Sequence, residues 1–129
     1  MKRISSKALH TRGQKAMHLK PNKNEELIRK VFEFIELNCR ENIKLKEVAQ
    51  EVGYSSAYLT DLVRKLTGKT VNSWIIEYRI AEASTLLIET DYSVEEIASR
   101  VGYQSINHFY RQFRNHYKNT PGFWRKAQH

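Results

Sequence analysis

The chain contains one unit twice. Residues 48–56 read VAQEVGYSS and residues 97–105 read IASRVGYQS. Val48, Ala49, Val52, Gly53, Tyr54 and Ser56 return 49 positions later as Ile97, Ala98, Val101, Gly102, Tyr103 and Ser105. One extra residue then enters, and Leu59, Val63, Arg64, Thr70 and Trp74 return at an offset of 50 as Phe109, Phe113, Arg114, Thr120 and Trp124. A fold that accepts this chain must therefore build the same small module twice.

Each copy reads as a short amphipathic helix, a tight turn and a second amphipathic helix. The alanine (Ala49, Ala98) lets the two helices approach closely. The glycine four residues on (Gly53, Gly102) supplies the positive φ that ends the first helix. Ser55 or Ser56, and Ser105, offer caps for the second helix. Ser93 followed by Glu96 predicts a capping box at the start of the second copy. This is the sequence pattern of a helix-turn-helix, whose second helix enters the major groove of DNA.

Between the copies, residues 71–88 predict a long helix apolar on two faces. Val71, Trp74, Ile75 and Tyr78 form one stripe, and Ile76, Ile80, Ala83 and Leu87 form another. Such a helix is buried on two sides and separates two modules. About twenty residues rise ~30 Å, close to the ~34 Å of one duplex turn. Ahead of the first copy, Asn24 as cap with Glu25 and Glu26 opens a helix carrying Leu27, Ile28, Val31, Phe32 and Ile35 on one stripe. No segment alternates strictly enough to predict a strand, so the expected class is all-α with about seven helices: 1–24 an arm or linker, 25–70 the first subdomain, 71–90 the connecting helix and 91–129 the second subdomain.

Charge is sorted along the chain. The net charge is +8 in 129 residues. Residues 1–24 hold seven Lys and Arg and no acid, leaving residues 25–129 at +1. Within the latter, 43–70 and 92–129 are basic and 25–42 and 71–91 acidic, so the excess positive charge falls on the two copies. A basic balance favours nucleic acid as partner. The single Cys39 excludes an internal disulfide and reads as a small apolar filler. His10, His18, His108, His116 and His129 show no zinc-site spacing, and no phosphate-cradling or nucleophile motif occurs. No enzyme, cofactor or metal is expected, and no apolar run approaches the ~20 residues of a membrane helix.

Two such units, a connecting helix containing Tyr78-Arg79-Ile80-Ala81-Glu82-Ala83, the Gly102-Tyr103 turn, Phe109, Phe113 and Thr120-Pro121 resemble the AraC/XylS family of bacterial transcription regulators over about residues 25–126. The resemblance implies a seven-helix, cytoplasmic DNA-binding domain, monomeric alone, with promoter DNA and RNA polymerase as partners. In the family a sensor domain often accompanies this one.

On the first recognition helix Leu59, Leu62, Val63 and Leu66 read as the inward stripe, leaving Ala57, Tyr58, Thr60, Asp61, Arg64 and Lys65 outward. The resemblance places Ala57, Thr60 and Asp61 over base edges and Arg64 or Lys65 nearer phosphates. Asp61 departs from the basic residue often found there in the family; it either accepts from cytosine or pairs with Arg64 or Lys65. On the second, Phe109, Phe113 and Tyr117 read inward and Ile106, Asn107, Tyr110, Arg111, Arg114 and Lys118 outward. Asn107 suits adenine, Arg111 guanine and Ile106 a thymine methyl, while Tyr110 and Arg114 reach backbone or base. Arg79 is expected in a structural ion pair, and His108 helps frame the helix. The competing expectation is a protein-interaction module whose basic arm binds nucleic acid without preference; salt dependence separates the two.

Overall fold

A computed structural model describes residues 22–129; residues 1–21, and with them most of the basic arm, lie outside the described residues. Among the described residues there are seven helices and no strand: α1 Lys23–Asn38, α2 Leu45–Val52, α3 Ser56–Thr67, α4 Val71–Glu89, α5 Val94–Arg100, α6 Ile106–Tyr117 and α7 Pro121–Gln128.

The helix starts follow local capping chemistry. Asn22, not Asn24, caps α1: its Oδ1 accepts from Glu25 N at 2.8 Å, while Glu25 Oε1 accepts from Asn22 N at 3.0 Å. The two donors are satisfied reciprocally. Ser55, Thr70, Ser93, Ser105 and Thr120 cap α3 to α7 in turn. At α5 the expected box is only half made. Ser93 accepts from Glu96 N at 3.0 Å, but the Glu96 carboxylate turns forward to Arg100, one helical turn on, at 3.0 Å. The i,i+4 ion pair wins over the backbone N–H.

The core is double and divides along α4. Val71, Trp74, Ile75 and Tyr78 join Leu27, Val31, Phe32, Ile35, Val48, Leu59 and Val63 in one apolar cluster. From Ile80 on, the buried apolar positions face the other side: Ile80, Ala83 and Leu87 join Ile97, Val101, Phe109 and Phe113 in a second cluster, with half-buried Ile76 packed against it. The two stripes read from the sequence thus serve two separate cores. Aside from the packing onto α4, every substantial helix–helix contact stays inside one half: α1 with α2, α2 with α3, α5 with α6 and α6 with α7.

Equivalent residues close each core. Trp74 is buried, stands edge-on to Phe32 at 5.0 Å and donates its indole N–H to Thr67 Oγ1 at 2.9 Å. Trp124 is half-buried and packs against Phe113 and Tyr117 with centroids 5.8 and 4.9 Å away. Leu66 departs from its expected inward place and is 48% exposed. The buried residues of α3 end with Leu62 and Val63, and Gly68 then turns the chain away in a left-handed cap, which leaves the Leu66 side of the last turn exposed.

Candidate nucleic-acid interface

The two turns that present α3 and α6 share one hydrogen-bond pattern. Tyr54 N donates to Ala49 O at 3.1 Å and Gly53 N to Gln50 O at 3.3 Å. In the second copy Tyr103 N donates to Ala98 O at 2.9 Å and Gly102 N to Ser99 O at 3.2 Å. Both are paired helix-end bonds of the kind a left-handed residue permits, and both glycines have positive φ, +81° and +109°. Ala49 and Ala98 are buried where the helices cross.

The copies differ by one residue at this point. Ser55 caps α3 two residues after Gly53, whereas Ser105 caps α6 three residues after Gly102. Gln104 is the extra residue, so Ser105 is the structural counterpart of Ser55 rather than of Ser56. The tyrosines diverge with it. Tyr54 is 40% exposed and stacks on Tyr58 at 5.0 Å, while Tyr103 is 7% exposed and its hydroxyl donates to Gln112. Burial pushes the Tyr103 phenol up to about 12, against the opposing pull of the nearby Arg79 cation.

On α3, Ala57, Tyr58, Asp61, Arg64 and Lys65 are exposed and Thr60 is half-buried. Asp61 makes no ion pair with Arg64 or Lys65, so its carboxylate stands on the outer face uncompensated by its own helix. On α6, Asn107, Arg111 and Arg114 are exposed, Tyr110 is half-buried, and Ile106 is half-buried against the second core. His108 stands within 2.9 Å of Gln112 Nε2 and edge-on to Tyr103. Lys118 closes α6 at φ +67°, the place that Gly68 holds in the first copy.

The arginines sort themselves by position. Arg29, Arg40 and Arg100 are paired with Glu33, Glu82 and Glu96. Arg79 and Arg125 donate to backbone carbonyls instead: Arg79 to Cys39 and Glu41, and Arg125 to Leu87 and Thr90. Arg79 therefore makes no structural ion pair of the expected kind. It neutralises the carbonyl end of α1, where a cation suits the helix dipole. The remaining arginines among the described residues, Arg64, Arg111 and Arg114, have no side-chain partner there, and all three lie on α3 or α6.

Sequence reasoning did not single out Tyr54, the Arg40–Glu82 pair or the contact of Gly102 with the end of α1. The first had a signal in the stacking distance i,i+4 to Tyr58; the others are long-range and had none. Among the described residues no cluster of His, Cys, Asp or Glu fits a metal, and no helix is long and apolar enough to cross a membrane.

Comparison with known proteins places this geometry. Residues 48–127 match the family model described as a helix-turn-helix domain. The chain is 33% identical over 100 residues to the transposon Tn10 TetD protein of Escherichia coli, covering 78% of this chain and 72% of that one. Several other curated relatives are longer, and the chain spans between 24% and 35% of their length. Among solved structures, an AraC-type transcriptional regulator from Chromobacterium violaceum superposes with a TM-score of 0.74 at 27% identity, covering 79% of this chain and 91% of that one. The DNA-binding domain of AdpA, a global transcriptional factor crystallised in complex with a target DNA, superposes with a TM-score of 0.73 at 29% identity over 78% and 90% of the respective chains. With two turn-presented helices on one shared connecting helix, and with these relatives, the chain belongs to the AraC/XylS family of helix-turn-helix transcription regulators.

Proposed function

We propose that the chain binds promoter DNA as a sequence-dependent bacterial transcription regulator, with α3 and α6 in successive major grooves. The observation that carries this reading is the sorting of the arginines. Five of the eight described arginines are held by carboxylates or carbonyls, and the three left with unengaged guanidinium groups all project from the two recognition helices. Guanidinium groups already engaged within the fold have fewer donors left for phosphates or guanine; these three have all of theirs. The similar AdpA domain, crystallised on a target DNA, supports the same use of the fold.

The two helices are equipped differently. On α6, Asn107 offers adenine one donor and one acceptor and Arg111 offers guanine two donors, with Ile106 toward a thymine methyl and Tyr110 and Arg114 toward backbone or base. On α3, Ala57 and Thr60 are small, Tyr58 contributes a phenol, and Arg64 and Lys65 serve phosphates, while Asp61 repels them. The second copy therefore carries most of the base discrimination and the first contributes register. One chain binds one duplex in the cytoplasm without a cofactor or a catalytic step, and RNA polymerase beside the promoter is the partner through which binding becomes activation.

Selection of bound duplexes from a random library at near-physiological salt tests the reading. The expected product is a bipartite site with two short blocks about one helical turn, ~10.5 bp, apart. Enrichment of one block assigns base reading to α6 alone. No enrichment, with binding that disappears as salt rises, overturns sequence-dependent recognition in favour of non-specific charge attraction.

A further inference from the structure

Away from the axis of α4, the two halves touch at the end of α1. Arg79, on α4, donates Nε to Cys39 O at 2.6 Å and a terminal nitrogen to Glu41 O at 2.8 Å. The same guanidinium lies 5.7 Å from the ring centroid of Tyr103, in the turn of the second copy. Beside Tyr103 sits Gly102, close against the same end of α1 and sharing the Cys39 carbonyl with Arg79. A Cβ placed there would lie 2.8 Å from Cys39 O, 3.0 Å from Arg40 O and 3.0 Å from Arg79 Nε. Two of those neighbours are backbone, so a side chain at 102 forces the halves apart. Gly53, its counterpart, shares the positive φ but has open space around its Cβ position. The turn itself needs only the φ; the crowding at Gly102 belongs to the contact between the halves.

That contact has a geometric consequence. Each half packs on α4, and no other substantial helix packing joins them. A shared helix alone leaves each half free to rock about it. A tie set to one side removes that freedom. We infer that Gly102 and Arg79 are positioning residues that lock the two halves in one orientation and thereby fix the half-site spacing the chain accepts. The spacing consequence rests on the two-groove reading above; the lock itself does not. Each base pair added between half-sites moves the second groove by ~3.4 Å and turns it by roughly 35°. A locked pair of helices meets that change only by deforming the duplex, while an unlocked pair follows it.

The test compares Gly102→Ala with Gly53→Ala. Both put a methyl at a positive φ, but only the first enters the contact. Arg79→Met serves as the second variant should Gly102→Ala not fold, since it removes the carbonyl bonds without adding bulk. The first readout needs no DNA: residual dipolar couplings of backbone amides across the whole chain. Wild type and Gly53→Ala are expected to fit one alignment tensor for both halves. Gly102→Ala and Arg79→Met are expected to need two, or one with α3 and α6 reoriented.

The second readout is affinity for duplexes whose half-sites stand at the selected spacing and one or two base pairs longer or shorter. Wild type and Gly53→Ala should lose about tenfold per base pair of misplacement. Gly102→Ala and Arg79→Met should lose less than about threefold, or prefer a new spacing. Unchanged couplings in the foldable junction variants overturn the lock. Changed couplings with an unchanged spacing profile overturn its role in spacing. A wild-type chain with no spacing preference sinks the two-groove reading and the spacing role together, while the couplings still decide the lock.

Discussion

Glu82 and Arg40 form an ion pair between α4 and the loop after α1, with the carboxylate 1% exposed and the guanidinium half in solvent. Burying a carboxylate is tolerated only while its donors remain. Arg40→Ala removes one donor and leaves the charge in place, and is expected to cost about 1–3 kcal/mol. Glu82→Gln removes the charge while keeping an oxygen that accepts, and should cost less. Urea denaturation midpoints order the two variants. An Arg40→Ala midpoint equal to wild type would show that other partners hold Glu82 unaided.

The architecture was legible because it is carried by local periodicity. The 49-residue repeat marks both modules, and the two stripes of α4 correspond to its residues in the two cores. The change of offset to 50 recorded one extra residue, but pairing Ser56 with Ser105 set it after Ser105; the caps Ser55 and Ser105 put it earlier, at Gln104. Where expectation and structure part, a competing partner decides. Glu25 lies three residues after Asn22, which is the box spacing, so the cap signal belonged to Asn22 and not to Asn24. Glu96 has the same spacing from Ser93, but Arg100 claims it. Leu66 fits the inward stripe by count, yet the core stops a turn earlier. Arg79 shows the limit most clearly: its partners are main-chain carbonyls some forty residues away, and a carbonyl leaves no mark on the sequence. On the interface, period separates inward from outward residues, but only the structure shows which outward arginines are already engaged.

The buried phenol of Tyr103 makes stability depend on pH at the alkaline end. Its pKa is raised to about 12 from 10 because burial disfavours the phenolate. The folded state thus holds this proton more tightly than the unfolded chain. The stabilisation is fully present below pH ~10 and is lost as pH rises from there through about 12, on the order of 2 kcal/mol. Tyr103→Phe should remove that slope between pH 10 and 12. Denaturation midpoints across this range, with phenolate absorbance as a second readout, check it. A slope that survives in Tyr103→Phe would assign it elsewhere.

Lys118 sits at φ +67° where the first copy has Gly68. A left-handed residue with a Cβ costs about 1–2 kcal/mol, and glycine returns part of that gain through unfolded-state entropy. Lys118→Gly is therefore expected to stabilise by about 0.5–1 kcal/mol, a rise in Tm of roughly 2–6 °C. Calorimetry of the single variant measures it. A fall in Tm would mean that the Lys118 ammonium, which donates to Asn115 O at 3.0 Å, contributes more to the helix end than the strain removes.

Two outward residues separate base reading from charge on the proposed interface. Arg111 has no partner among the described residues, and its place on α6 suits guanine. Arg111→Ala should weaken binding to the selected site by about 1–3 kcal/mol and relax one base position. An equal loss on every sequence would reassign it to a phosphate. Asp61 is the opposite case: an exposed carboxylate on the outer face of α3 without an ion pair on its own helix. If it only repels, Asp61→Asn removes about 1 kcal/mol of unfavourable interaction at low salt and tightens binding to all sequences alike. If it accepts from a cytosine amino group, the same variant loses preference at one position within the first block while others are untouched. Measuring both variants on a library of single-base changes, at two salt concentrations, decides which of the two roles each side chain has, because a phosphate or repulsion effect shrinks with salt and a base contact keeps its position.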